Sequence, residues 1–188
     1  MRKIILSEYL SADGYVADRK GQLDFFGPQV RKIGAEADQV RFIETIDTLL
    51  MGRKTYEQFA QVWPDRPASK EVLADTINKA RKIVFSDTLK KAPWGKWPEA
   101  EIESGELVPA IGRLKSLPGG NIVVWASISL AQHLMKANLI DEYQLFVCPV
   151  LTAGGRRLFT EEMDPTSLRL LKISRYETGI VCLHYQKS

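Results

Sequence analysis

The sequence predicts a single α/β domain, residues 1–188, built on a mixed, mostly parallel sheet with helices on both faces and a C-terminal antiparallel hairpin. Three observations predict it. Apolar runs of strand length at 4–6, 49–51, 83–85 and 122–125 alternate with segments whose apolar residues recur at helical spacing. Those runs lack the in–out alternation of a half-exposed strand, which suits strands covered on both faces. After Asp141 the pattern turns β-rich and closes around Glu177, Thr178 and Gly179, a hairpin signal.

Taken in order, 3–10 reads as a strand that ends in the turn Ser11, Ala12, Asp13, Gly14. Residues 15–26 read as a long loop with acidic and aromatic groups, a length often tied to function. From Pro28, the residues Val30, Ile33, Ala37, Val40 and Ile43 predict an amphipathic helix leading into the strand that ends at Met51. A short helix follows Thr55 and is broken by Trp63, Pro64 and Pro67. Ser69 is a fitting N-cap for a helix reaching Ala80, with Val72, Leu73 and Ile77 on one face. Residues 82–86 form the next strand, and 91–103 are irregular with room for one short strand. A helix over 106–117 accommodates Pro109 in its first turn. The strand 121–125 runs into a turn of small hydroxylated residues, Ala126 to Ser129, and another helix. A strand over 143–151 must bend at Pro149, and 168–175 pairs with 180–185.

Composition narrows the function. Hydrophobic and charged contents of 45% and 26% are those of an ordinary globular chain. A net charge of +3 with no dense Lys/Arg run argues against nucleic acid. The N-terminal apolar run is too short for a signal peptide and no later segment has the span of a membrane helix, so a cytoplasmic protein is expected. Cys148 and Cys182 read as buried free thiols, and His133 and His184 are isolated. Without a Cys/His cluster at ligand spacing or a G-x-S-x-G element, neither a metal site nor nucleophilic hydrolysis is expected.

The most informative stretch is the corner at Gly52, Arg53, Lys54 and Thr55. A buried strand stops at a glycine, two cations follow, and a helix begins. Such corners lie at the carboxyl edge of an α/β sheet, where free helix N–H groups and the dipole favour an anion. Gly52 would allow close backbone approach, Arg53 offers a planar fork for phosphate, and Thr55 can cap the helix or donate its hydroxyl. Read alone, the stretch suits either a nucleotide phosphate site or an ordinary turn with two solvated cations.

The order of motifs resembles the dihydrofolate reductase fold, and in particular the reductase domains of riboflavin biosynthesis and their stand-alone bacterial relatives. The matching pieces are Ser11 to Gly14, Leu50-Met-Gly-Arg-Lys-Thr-Tyr56, Ile83-Val-Phe-Ser86, Val123-Val-Trp-Ala-Ser127, and Pro149 through Phe159 with its Gly154, Gly155, Arg156 and Arg157. The resemblance implies NADPH lying across the carboxyl edge of the sheet. Gly52, Arg53, Lys54 and Thr55 would hold the adenosine-side phosphates, and Ser86 would sit by the ribose 2′-phosphate. Ala126, Ser127, Ile128 and Ser129 would offer backbone N–H groups to the pyrophosphate, and the backbone up to Val16 would border the nicotinamide. The chain departs from the family at Ala126, where glycine is usual, and at Tyr15, where riboflavin-pathway reductases carry lysine. Asp87, next to Ser86, would repel a 2′-phosphate unless Arg53, Lys90 or Lys91 compensates.

Hydride transfer needs the ring held against an electrophilic carbon, and a proton source nearby. Dihydrofolate reductases carry their acid on the first helix, and the corresponding place here, near Val30, has no carboxylate. Asp13 and Asp24 are the acids that remain near the cleft, though Asp13 equally suits a turn that bonds its own backbone. Phe25, Phe26 and Trp63 are candidates to stack a planar heterocycle, or are core. Arg156 and Arg157 suit a solvated turn, or a substrate phosphate. The expected activity is NADPH-dependent reduction of a pteridine- or pyrimidine-like compound, such as a 5-amino-6-(5-phosphoribosylamino)uracil-type substrate. The alternative is a nucleotide-binding module that has lost turnover. The β-rich end could supply a homodimer interface.

Overall fold

The computed structural model describes residues 1–27, 37–67 and 73–188. Its strands are β1 (Ile4–Ser11), β2 (Tyr15–Ala17), β3 (Ile46–Gly52), β4 (Arg81–Phe85), β5 (Glu101–Glu103), β6 (Asn121–Trp125), β7 (Glu142–Cys148), β8 (Arg156–Arg157), β9 (Leu168–Arg175) and β10 (Val181–Lys187). Its helices are α1 (Ala37–Ile43), α2 (Arg53–Val62), α3 (Leu73–Lys79), α4 (Leu107–Ser116) and α5 (Ile128–Lys136). Val30, Ile33, Ser69 and Val72, which carried the expected starts of two helices, lie outside the described residues.

Eight strands form one sheet in the order β5-β4-β3-β6-β1-β7-β10-β9. β5 through β7 in that order run parallel, and β10 and β9 add an antiparallel hairpin at one edge. This is the dihydrofolate reductase-like arrangement that the motif order implied. The fully apolar strands are explained by a core on each face. Leu50, Ile83, Ile122 and Val124 point to the layer of α4 and α5, with Ile111, Leu114, Leu130 and Leu134. Their neighbours Leu49, Met51, Val84 and Val123 point to the layer of α2 and α3, with Tyr56 and Ile77. A smaller cluster of Phe26, Phe146, Cys148, Tyr176 and Cys182 fills the hairpin end, where burial pushes both thiols up to about 12.

Two expectations need correction. Residues 15–26 are not one irregular loop: β2 pairs with β8 as a separate ribbon, and Asp24–Phe26 form a 3₁₀ turn. Gly155 makes the ribbon possible, because at φ +136 a Cβ would run into the carbonyl oxygen of Ala17. The strand expected over 143–151 ends at Cys148, since Pro149 has no N–H for the ladder.

Candidate functional site

The carboxyl ends of β3 and β6 lie side by side, and each turns directly into a helix. A chain of hydrogen bonds joins the two turns. The Gly52 N–H donates to Ser127 Oγ (2.7 Å), Ser127 to Thr55 Oγ1 (2.9 Å), and Thr55 to the carbonyl of Ala126 (3.2 Å). Thr55 therefore does not cap α2, which starts from Gly52 without any side-chain cap. Gly52 is not needed for a tight approach either. Its φ of −82° suits any residue, and an added Cβ would meet Ser127 Oγ at an ordinary 3.5 Å. The zipper aligns two helix N-termini at one edge, and the first-turn N–H groups beyond Gly52 have no intrahelical acceptor.

Arg53 reaches from α2 to the turn after β4. Its Nη1 donates to Thr88 Oγ1 (2.9 Å), and Thr88 Oγ1 lies 3.5 Å from Ser86 Oγ. Arg53 also pairs with Glu57 (2.6 Å), but both side chains are about half exposed, so the pair contributes little. Lys54 is exposed beside it. Asp87 is turned away, its Oδ1 accepting from the Gly105 N–H (3.0 Å). The sequence reading placed Ser86 and Arg53 in one site; Thr88, which links them, carried no recognisable signal.

At the second turn Ala126 adopts φ +53, the left-handed conformation that glycine takes without strain. Ser127 is buried, and in the first turn of α5 Ser129 Oγ accepts from Arg156 Nη2 (2.7 Å). Arg156 is exposed, as a turn arginine is expected to be, and the β2–β8 ribbon brings it over the helix N-terminus. Its neighbour Arg157 packs over the Tyr15 ring, 4.6 Å from the centroid. Val16 is 1% exposed and its side chain belongs to the core, so only its backbone could border a ligand.

Asp13 is a turn clamp. It accepts from the Ser11 hydroxyl (2.6 Å) and from the N–H groups of Ala153 (2.8 Å) and Thr152. The Ser11 bond, followed by the two backbone donors, lowers its pKa to about 2, so at neutral pH it has no proton to give. Asp24 opens the 3₁₀ turn, is exposed, and does not line the cavity described next. Phe25 tilts against Phe26, with ring centroids 4.1 Å apart, and joins the hairpin-end cluster; Phe26 and Trp63 reach the cavity.

That cavity, about 240 Å³, opens between β1, β6, α1 and α2. Its walls are aromatic: Phe42, Phe59, Trp63, Trp125 and Phe146. Ala126 lines it too, so it adjoins the α5 turn. Its titratable groups among the described residues are Glu8 and Tyr9. Glu8 is 9% exposed; its Oε2 accepts from the Ala126 N–H (3.0 Å) and its Oε1 from the Tyr9 N–H (3.1 Å). Burial raises its pKa to about 7 against the smaller opposing effect of those donors. A carboxyl group able to hold its proton near neutral pH therefore lies beside the turn. The sequence did offer a signal for it, a lone acid within an otherwise buried strand.

Among the described residues no group of three or more His, Cys, Asp or Glu could hold a metal ion, and no helix is long and apolar enough to cross a membrane.

Comparison with known proteins agrees with this geometry. The chain is 28% identical over 190 residues to the uncharacterized protein YwjB of Bacillus subtilis, covering 100% of this chain and 99% of YwjB. It superposes with a TM-score of 0.77, at 26% identity and over 99% of that chain, on a putative riboflavin biosynthesis protein from Shewanella sp. PV-4. A diaminohydroxyphosphoribosylaminopyrimidine deaminase/5-amino-6-(5-phosphoribosylamino)uracil reductase from Thermotoga maritima shares the fold, with a TM-score of 0.68 at 13% identity; this chain spans 57% of its length. The model of the RibD C-terminal domain matches residues 2–182, and the chain belongs to that family.

Proposed function

We propose that this chain, acting as one domain over 1–188, is an NADPH-dependent reductase of a small pyrimidine- or pteridine-like heterocycle in the cytoplasm. The observation that carries the reading is the continuous edge from Arg53, Ser86 and Thr88, through the joined α2 and α5 turns, to the aromatic cavity. The residues fit the cofactor. Arg53 with Ser86 and Thr88 would hold a 2′-phosphate, with Asp87 turned out of the way. The Ile128 and Ser129 N–H groups with Arg156 would hold the pyrophosphate, and Lys54 would add positive charge beside Gly52 and Thr55. When bound, NADPH supplies the hydride; the protein orients the ring and excludes water.

Asp13 has no place in this chemistry, and Asp24 would contribute only through a rearranged loop. The exposed apolar residues of the edge strand β9, Leu168, Leu170, Leu171 and Ile173, support a homodimer through that edge. Light scattering coupled to size exclusion would return a dimer mass, and a monomer at tens of micromolar would rule it out.

A fluorescence titration with NADPH and NADH tests the main reading. NADPH should be favoured, and Arg53→Ala should weaken it by about 1.5–3 kcal/mol, the range of a hydrogen bond to a charged group. Equal binding by Arg53→Ala would remove Arg53 from the site. Cofactor binding with no consumption across a panel of heterocycles would point instead to a module without turnover.

A further inference from the structure

Resting on the reductase reading, the structure further restricts what the ring can be. Among the described residues the cavity beside the α5 turn is lined by no lysine or arginine, and its walls are mostly aromatic and aliphatic side chains. A dianionic phosphate drawn into such a space would lose its hydration with no counter-charge in return. Arg66 lies on the Trp63 ring, 5.1 Å from the centroid, and is not a lining residue. The phosphate-bearing substrate named for the Thermotoga maritima enzyme is thus a poor match for these walls.

Two buried polar side chains remain to read a ligand. Gln39 on α1 is 5% exposed, and its Nε2 donates to the Tyr176 hydroxyl (2.9 Å). That hydroxyl itself donates to Asp38 (3.2 Å), which fixes the orientation of the amide and leaves Gln39 Oε1 as an acceptor with no hydrogen bond among the described residues. Across the cavity Glu8 accepts two backbone N–H groups, one on each oxygen. In its neutral form it still has an O–H to give. We propose that the cavity binds an uncharged, planar one- or two-ring heterocycle, with Glu8 donating to and Gln39 accepting from polar atoms at the ring edge, and that it rejects phosphate-bearing analogues. The burial that keeps Glu8 protonated near neutral pH supports the donor role. Among the described lining residues only Tyr9 also titrates, and burial holds its phenol well above its ordinary value, so of these Glu8 is the one that changes charge near neutral pH.

The test is calorimetric titration of the full chain at pH 6 with lumazine, 6-hydroxymethylpterin and the phosphate monoester of the latter. NADPH binding is followed in parallel by its own fluorescence. At least one neutral ring should bind one per chain, and the phosphate ester at least about tenfold more weakly. Gln39→Leu should weaken the neutral ring roughly five- to tenfold, the worth of one neutral hydrogen bond, with NADPH binding unchanged. Glu8→Gln keeps a donor without a titrating charge, so ring binding should persist and its loss between pH 6 and pH 8 should shrink. The proposal is overturned if neither neutral ring binds, if the phosphate ester binds equally well, if Gln39→Leu changes nothing, or if Glu8→Gln shows the parent's full pH loss. NADPH binding without ring binding sinks this proposal and leaves the reductase reading; ring binding without NADPH does the reverse.

Discussion

Replacing Glu8 by glutamine should change the stability of the protein in a pH-dependent way that the cavity geometry dictates. Burial moves the Glu8 pKa from an ordinary 4.5 to about 7, and the side chain is only 9% exposed, so solvent screens little of this. Below 4.5 both folded and unfolded chains hold the proton and the group is neutral in both. Between the two values the unfolded chain releases a proton that the native state keeps, so stability falls as pH rises. Above 7 the native state must carry the buried charge. At about 1.4 kcal/mol per tenfold change in proton affinity, the full cost approaches about 3.5 kcal/mol, of which about 2–3 accrues between pH 5 and pH 8.

Glutamine removes that cost. It also forfeits one accepted backbone bond, from Ala126 or Tyr9, worth about 1–2 kcal/mol at any pH. Glu8→Gln should therefore be less stable than the parent at pH 5 and equal to it or more stable at pH 8. Urea unfolding at the two pH values measures the difference directly. If the stability change is the same at both, Glu8 is not neutral in its native setting, and the donor role given to it fails with it.

Three further outcomes follow from other parts of the structure. Ala126→Gly relieves the left-handed backbone at φ +53 and should stabilise the fold by about 1 kcal/mol, read as a rise of about 2–4 °C in melting temperature; a fall would show that the alanine methyl contributes packing that outweighs the strain. Asp13 has its pKa lowered to about 2, so the support it gives its turn is complete above its ordinary 3.8 and lost as pH falls through 2; Asp13→Asn should loosen the Thr152–Ala153 backbone to amide exchange while leaving the proposed reductase activity without a new pH inflection above 4. Leu50 is completely buried between β3 and the α4–α5 layer, and Leu50→Ala should cost about 2–5 kcal/mol in urea unfolding with NADPH affinity retained in the folded fraction; a cost under about 1 kcal/mol would mean the core collapses around the gap.

Much of the site was legible from residue order. The apolar run ending at Gly52, the cations after it and the hydroxyl-rich turn at Ala126–Ser129 are local signals, because strand length, helix starts and turn chemistry are set by neighbours in sequence. The same signals gave the alternation of strands and helices and the closing hairpin. Other features depended on residues far apart along the chain. Thr55 was expected either to cap its own helix or to donate its hydroxyl, and it donates, to the Ala126 carbonyl beyond another strand, while accepting from Ser127. Asp87 was expected to face a phosphate, but Gly105 draws it away. Arg156 is exposed as expected, but only the β2–β8 ribbon shows that it reaches Ser129.

Glu8 shows the division most clearly. In sequence it is a lone acid in a strand expected to be covered on both faces, but nothing local says what surrounds its carboxyl group. Burial changes its proton affinity only because β1 lies between β6 and β7, with Ala126 beside it and aromatic side chains of α1 and α2 across the cavity. The sequence by itself determined most of the main-sheet strands and the helices that follow them, and it marked the Gly52–Thr55 corner as a candidate anion site. Only the tertiary structure decided which side chains share a desolvated space, because desolvation is a property of everything packed around a group, whatever its distance in sequence.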